Sequence, residues 1–209
     1  MEVVVILVVV AVLIAALLPA FMPHKRRVSK IGCVQYLQRI TLAFRIWEGD
    51  NGDKYPTQLG SADGGVMELA ANGNVAAVFQ VMSNELSSTI WLICPADARR
   101  HWATNFATDF GNPNVSYFVG LDAADNYPKS ILTGDDNLAI KGVSVKSGVV
   151  ELSKNAPLAW TGERHRFTGN IGLADGSVQT TTDSDLTDAI MSQYKSSSAF
   201  TNRFRFAIP

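Results

Sequence analysis

The sequence predicts an α+β chain in which a long, apolar N-terminal helix packs on a small antiparallel β-sheet, with a further helix near the C-terminus. Three observations lead there. Residues 3–18, VVVILVVVAVLIAALL, are apolar without a break. From Val28 to Trp47 apolar residues recur every three or four positions. Beyond residue 115, short apolar and alternating segments are separated by Gly, Pro, Asn and Asp. The same pattern divides the chain into an apolar helical segment (1–23), an amphipathic continuation of that helix (24–52) and a head domain (53–209).

From Val3 to Met22 only Pro19 falls outside the apolar set, and 20 residues of helix rise about 30 Å, the thickness of a hydrocarbon core. A secretory signal peptide needs a positive region before its apolar stretch, whereas this sequence begins Met1-Glu2. A plain membrane anchor fits the length but gives no reason for a carboxylate at its apolar end. A helix that anchors first and later packs against copies of itself does, because Glu2 is then neutralised by a neighbouring cation. By the positive-inside rule alone, Lys25-Arg26-Arg27 would keep the head cytoplasmic.

The second helical stretch carries its stripe at Val28, Ile31, Val34, Leu37, Ile40, Phe44 and Trp47, and EGDNGDKYP ends it. One helix is expected to run through both stretches, bent or locally unwound at Pro19–Pro23. Met67–Asn84 reads as a short helix, STIWLICP as a short strand and NVSYFVGLD as a strand. Residues 122–137 read as loop. NLAIKGVSV, GVVELSK and PLAWTG are β-rich, and GNIGLADGSVQTTT is a hairpin turned at Asp175-Gly176. Ser184 is the expected cap of a last helix, and FTNRFRFAIP trails as an extended tail whose alternating Arg203–Phe206 reads as a half-exposed strand that could pack on a neighbouring subunit.

The net charge is −1, from 18 Lys and Arg against 19 Asp and Glu. Without Glu2 and Lys25–Arg27 the balance is 15 against 18, which is no nucleic-acid footprint. The GxSxG, HExxH and P-loop patterns are absent, and the three histidines, His24, His101 and His165, lack metal-ligand spacing. No enzyme is expected. Cys33 and Cys94 are a candidate disulfide of an exported domain. Asp122, Asp125, Asp135 and Asp136 are hard-oxygen calcium candidates, although no segment has the EF-hand spacing and solvated turns are the stronger reading. No other cofactor is expected.

The segment EVVVILVVVAVLIAALLPAF resembles the N-terminus of type IV pilins and of type II secretion pseudopilins, with Glu2 and Pro19 at the positions of the family's glutamate and helix-closing proline. CVQYLQRITLAFRIWEGDNGDKYP resembles the end of the helix in planctomycete and verrucomicrobial relatives. The spacing His165-x9-Asp175-Gly176, and the segments YFVGLD, NYP and TGD between Ser116 and Asp135, resemble the same group. The family's basic leader and the Phe before its glutamate are not seen here; leader cleavage and N-methylation are implied by the resemblance alone, as is the calcium site of some pseudopilins.

The resemblance implies a structural subunit that polymerises through its N-terminal helix into an extracellular type IV pilus-like filament. Its implied partners are copies of itself, a prepilin peptidase, the assembly machinery and, before assembly, the inner membrane; an upstream leader would override the charges at Lys25–Arg27. The alternatives are a periplasmic secretion pseudopilin and a membrane-anchored binding module that does not polymerise. His165, Asp175 and Gly176 are expected to be structural, with His165 bonding across the hairpin.

Overall fold

A computed structural model describes residues 2–17, 25–153, 156–196 and 203–209. Helix α1 spans Glu2–Leu17 and α2 spans Lys25–Asp50. The expected single apolar helix on the sheet is therefore not what forms. Residues 18–24, including Pro19 and Pro23, lie outside the described residues. Helix α1 has 16 residues, about 24 Å of rise. The long helix is α2, with 26 residues, and Lys, Arg, Gln and Glu are interspersed along it. Among the described residues no helix is long and apolar enough to cross a membrane.

What packs on the sheet is one face of α2. Cys33, Leu37, Ile40, Phe44 and Trp47 are buried, at the spacing of a single helical stripe. Ile31, Leu42 and Ile46 stay exposed on the same helix. Three short helices, α3 (Met67–Ala71), α4 (Val75–Val81) and α5 (Ser83–Leu86), replace the one expected over 67–84. Gly73, at φ 83°, turns the chain between α3 and α4. The apolar run after Ser88 forms a 3₁₀ turn at Thr89–Leu92 rather than a strand. The Ser88 hydroxyl caps it by accepting from the Ile90 N–H at 3.4 Å.

The main sheet contains six strands. They are β1 (Tyr117–Gly120), β2 (Ile131–Asp135), β5 (Gly148–Ser153), β7 (Gly169–Leu173), β8 (Val178–Thr181) and β9 (Arg203–Ile208). Their order is β5-β9-β1-β2-β7-β8, with every pairing antiparallel. A second sheet places β3 (Leu138–Ile140) between β4 (Val143–Ser144) and β6 (Leu158–Trp160). The sheet region is thus larger than expected. One inner strand was not expected, and the alternating Arg203–Phe206 segment, expected to be half-exposed, is an inner strand too. Strand β2 lies in the stretch read as loop, and β9 is the expected tail, inserted between β5 and β1. Phe204 and Phe206 are buried in the head's own core, so that strand is not left over for a neighbouring subunit.

The last helix, α6 (Asp183–Ser196), packs with Leu186 and Ile190 into the core on the far side of the sheet from α2. Its cap is Thr182 rather than Ser184: the Thr182 N–H donates to Asp185 Oδ2 at 2.9 Å, and the Asp185 N–H donates back to Thr182 Oγ1 at 3.4 Å. The two cores meet across β7. Ile171 and Leu173 point toward α6, whereas Gly172 faces α2.

A Cβ on Gly172 would lie 2.3 Å from Thr41 Cγ2, so the helix approaches the strand at a distance only glycine permits. Gly172→Ala is expected to lower unfolding stability by about 1–3 kcal/mol in urea titration, as overpacking does. Unchanged stability would mean that α2 sits farther from β7 than described.

A buried ionic cluster beside a disulfide

The end of α2 nearest the N-terminus is tied to the head by a disulfide. Cys33 and Cys94 are bonded and fully buried, and they close a loop of sequence separation 61. Such a link typically contributes about 2–4 kcal/mol. The turn Thr89–Leu92 delivers Cys94 to it. Pro95 lies against Gly32, where a Cβ would meet its ring at 3.2 Å.

Around this bridge lies a cluster of buried charge. Asp97 accepts from the Ser116 hydroxyl at 3.0 Å and from the Arg99 N–H at 3.0 Å. Arg164 pairs with Asp97 at 3.4 Å and with Asp136, and it donates to the Ser116 carbonyl at 3.1 Å. Arg100 also pairs with Asp136 and lies 3.5 Å from Asp97. Asp135 accepts at one oxygen, Oδ2, from both the N–H and the side-chain amide of Asn170, each at 2.7 Å. His165 Nε2 stands 3.5 Å from that oxygen and 3.4 Å from Cys94 Sγ.

The sheet explains this convergence. Tyr117 and Asp135 are paired across β1 and β2, so both side chains leave the same face. Asn170 follows on β7, and residues 164–165 lie in the turn that precedes that strand. Two positive-φ residues, Arg166 and Phe167, bend the chain there.

Three buried carboxylates, Asp97, Asp135 and Asp136, thus face the buried Arg164 side chain and the half-buried Arg100. Asp135 Oδ1 and the Tyr117 hydroxyl are buried with no hydrogen-bond partner. Burial pushes Asp97 up, but Arg164, the Arg99 N–H and Ser116 more than offset it and hold the group below the usual carboxylate range. Burial also lowers His165, against the pull of Asp135 and assisted by Arg164 and Lys30, so the ring favours its neutral form. Burial drives Tyr117 well up.

The other residues singled out from the sequence are dispersed. Glu2 is the first residue of α1 and is exposed, and Pro19 lies outside the described residues. His165 and Asp175-Gly176 sit at opposite ends of β7, so the histidine faces the disulfide and does not bond across the hairpin. Asp175 anchors the hairpin turn, accepting from Lys129 Nζ at 2.8 Å and from the Ser177 N–H at 2.9 Å, and Gly176 adopts φ 83°.

The four calcium candidates do not share a centre. Asp122 holds Arg205 through its side chain and its N–H, the latter at 2.8 Å, while Asp125 holds Arg45. Asp135 and Asp136 belong to the buried cluster. Among the described residues, the group of three or more metal-ligand types that converges is Cys33, Cys94 and His165, with ligand atoms within 4.8 Å of one another. While the disulfide is closed its sulfurs are not thiolates and do not serve as strong ligands. Of the aromatic residues, Trp160 is buried, Trp102 is exposed and Trp91 lies under the Arg39 guanidinium at 4.3 Å. Phe200 lies outside the described residues.

Asp97, Arg100 and Arg164 were not apparent from the sequence, because each is remote from its partners along the chain. The available signals were two adjacent pairs, Asp135-Asp136 between short apolar runs and Arg164-His165 in the charged stretch Glu163–Arg166. Charge there requires opposite charge nearby.

A histidine whose folded-state pKa is depressed contributes stability that is complete above its unfolded value and is lost as pH falls toward the folded value. Unfolding free energy should therefore decline from about pH 6.5 downward. In His165→Gln the decline between about pH 6.5 and 5 should flatten, leaving the carboxylate-driven loss at lower pH. Parallel curves for the two proteins, measured by urea titration, would show that His165 is not buried neutral. No family model matches this chain, and no curated protein or solved structure does either.

Proposed function

We propose that this chain is a structural subunit that polymerises through its N-terminal helix into a type IV pilus-like filament. The observation that carries the reading is the exposure of α1. Val3, Val4, Val5, Ile6, Leu7 and Val12 are each 61–70 % exposed and Val10 45 %, on a helix that is apolar on every side. A helix apolar all round is normally buried all round. Single chains rarely leave a contiguous apolar surface of this extent uncovered without a partner for it.

Self-association supplies that partner. Burying seven such side chains from water is worth on the order of 10 kcal/mol, comparable to the lower range of association costs. If the helix comes instead from lipid-like surroundings, that gain vanishes and close packing must decide. Glu2 then sets the register. A carboxylate at the head of a packed helix needs a cation, such as a neighbour's terminal amine, and a subunit one step out of place leaves it unpaired. Head-to-tail contacts of this kind do not close, so growth continues. The head, with its own two cores, lies outside the helical bundle and carries Ile31, Leu42 and Ile46 of α2 as further apolar contacts.

Glu2→Ala is expected to abolish filaments seen by electron microscopy of sheared surface material, while the head keeps its folded circular dichroism and its disulfide. Filaments of normal length and number in the variant would remove the pairing mechanism. Absence of any surface filament in the parent strain, with folded subunit retained in the periplasm, would favour a short secretion pseudopilus; a monodisperse single chain at all concentrations would favour an anchored binding module.

A further inference from the structure

We infer that the reduced form of this chain binds one thiophilic divalent cation of the Zn²⁺ class, with Cys33, Cys94 and His165 as ligands and the Asp135 carboxylate as the fourth. Soft thiolates with imidazole and a carboxylate form a donor set suited to tetrahedral zinc.

The spacing already approximates such a centre on two of its edges. With zinc–sulfur bonds of about 2.3 Å and zinc–nitrogen or zinc–oxygen bonds of about 2.0 Å, the ligand atoms of a tetrahedral site stand roughly 3.3–3.8 Å apart. His165 Nε2 lies 3.4 Å from Cys94 Sγ and 3.5 Å from Asp135 Oδ2. What must change is the sulfur–sulfur bond, which has to break so that the thiolates can separate by side-chain rotation. Asp135 must also draw in from the His165 side, since the group that lies within 4.8 Å consists of the two sulfurs and the imidazole.

Two independent features point to a ligand at this place. Asp135 is fully buried, and its Oδ1 has no hydrogen-bond partner, while Oδ2, the oxygen 3.5 Å from His165 Nε2, accepts from Asn170. Among the described residues no guanidinium lies within ion-pair distance of Asp135, although its charge acts on Arg164, whereas Asp97 and Asp136 contact the two arginines directly. The Asn170 N–H and side-chain amide hold Asp135 through Oδ2, the oxygen that faces His165, so a bound cation either shares that oxygen with outer-shell donors or takes Oδ1.

The chemistry balances as follows. A thiol or phosphine reductant transfers two electrons to the disulfide. Its bond breaks and, with two protons from solvent, Cys33 and Cys94 become thiols. Binding of the dication then releases both thiol protons to solvent, so two thiolates neutralise its charge. The consequence for the fold is that α2 has two ways of being tied to the head at one locus: covalently when oxidised, through the metal when reduced. This inference does not depend on polymerisation.

The test is anaerobic titration of the full chain with Co²⁺ after phosphine reduction and removal of the reductant. The expected result is one equivalent of Co²⁺ giving thiolate-to-cobalt charge-transfer bands and the intense visible bands of a tetrahedral site, bleached by Zn²⁺. The oxidised chain should give neither. His165→Ala and Asp135→Ala should each weaken binding by about tenfold or more. Melting followed by circular dichroism keeps the test decisive if reduction loosens the head, because Zn²⁺ should then raise the midpoint of the reduced chain and leave the oxidised chain unchanged. Absence of both the bands and the rise overturns the inference. So does binding that is indifferent to both variants, which would reduce the site to two adventitious thiols.

Discussion

The contact on which the rest of the structure depends is the seating of α2 on the six-stranded sheet. Thr41 rests against Gly172, where no side chain intervenes, and the stripe from Cys33 to Trp47 fills the groove around that point. Close packing at this density makes the position of the helix nearly discrete. The Cys33–Cys94 bond fixes one end of it. Near the other end Arg45 reaches Asp125, Glu48 and the Ala174 carbonyl, while Tyr55, whose hydroxyl donates to the same carbonyl at 3.0 Å, is pushed by burial up to about 12. A helix held at both ends and in the middle belongs to the head. Among the described residues helix α1 shows none of these restraints, and its side chains at Val3–Leu7, Val10 and Val12 are exposed.

That division reshapes the meaning of the apolar segment. Helix α2 takes the packing role on the sheet, while Ile31, Leu42 and Ile46 stay exposed on its other sides. Of α1, the described side chains of Val3–Leu7, Val10 and Val12 are exposed. The buried ionic cluster follows from the same seating. Asp97, Asp136, Arg100 and Arg164 are withdrawn from water beneath the disulfide, where paired charges cost more in desolvation than apolar side chains would. Their pairing geometry accepts one arrangement of the 94–100 segment, strands β1 and β2, and the turn before β7. Removing one partner leaves the others charged and buried.

Much of the helical plan was legible in the sequence, because a stripe such as Leu37, Ile40, Phe44 and Trp47 has a single physical reading. The hairpin at Asp175-Gly176 was equally plain, since the turn requires the φ that Gly176 adopts. Strand β2 was hidden by its own composition. Thr133, Gly134 and Asp135 resemble a loop until Thr133 donates to the Phe118 carbonyl at 2.7 Å and Asp135 binds Asn170. The alternation of Arg203–Phe206 marks β9 as a strand, but nothing local marks its two long-range partners, so its inner place was not legible. Thr89–Leu92 illustrates the converse: a short apolar run fits a strand or a turn equally well, and the nearby disulfide and Ser88 cap accompany the turn. The adjacency of Cys94, His165 and Asp135 comes from tertiary pairing and has no sequence period to reveal it.

The account's central claim is that α2 is at home on the head while α1 awaits other copies. Hydrogen–deuterium exchange on the full chain, compared between dilute subunit and assembled material, addresses this directly. Amides of residues 33–48 should be strongly protected in both samples, because their exchange needs the head to open. Amides of residues 3–12 should exchange quickly in the dilute subunit, since a lone helix of this length is marginal in water, and become protected on assembly. Equal protection of residues 3–12 in the dilute single chain would contradict the account, because it would mean that α1 already has a partner within its own molecule.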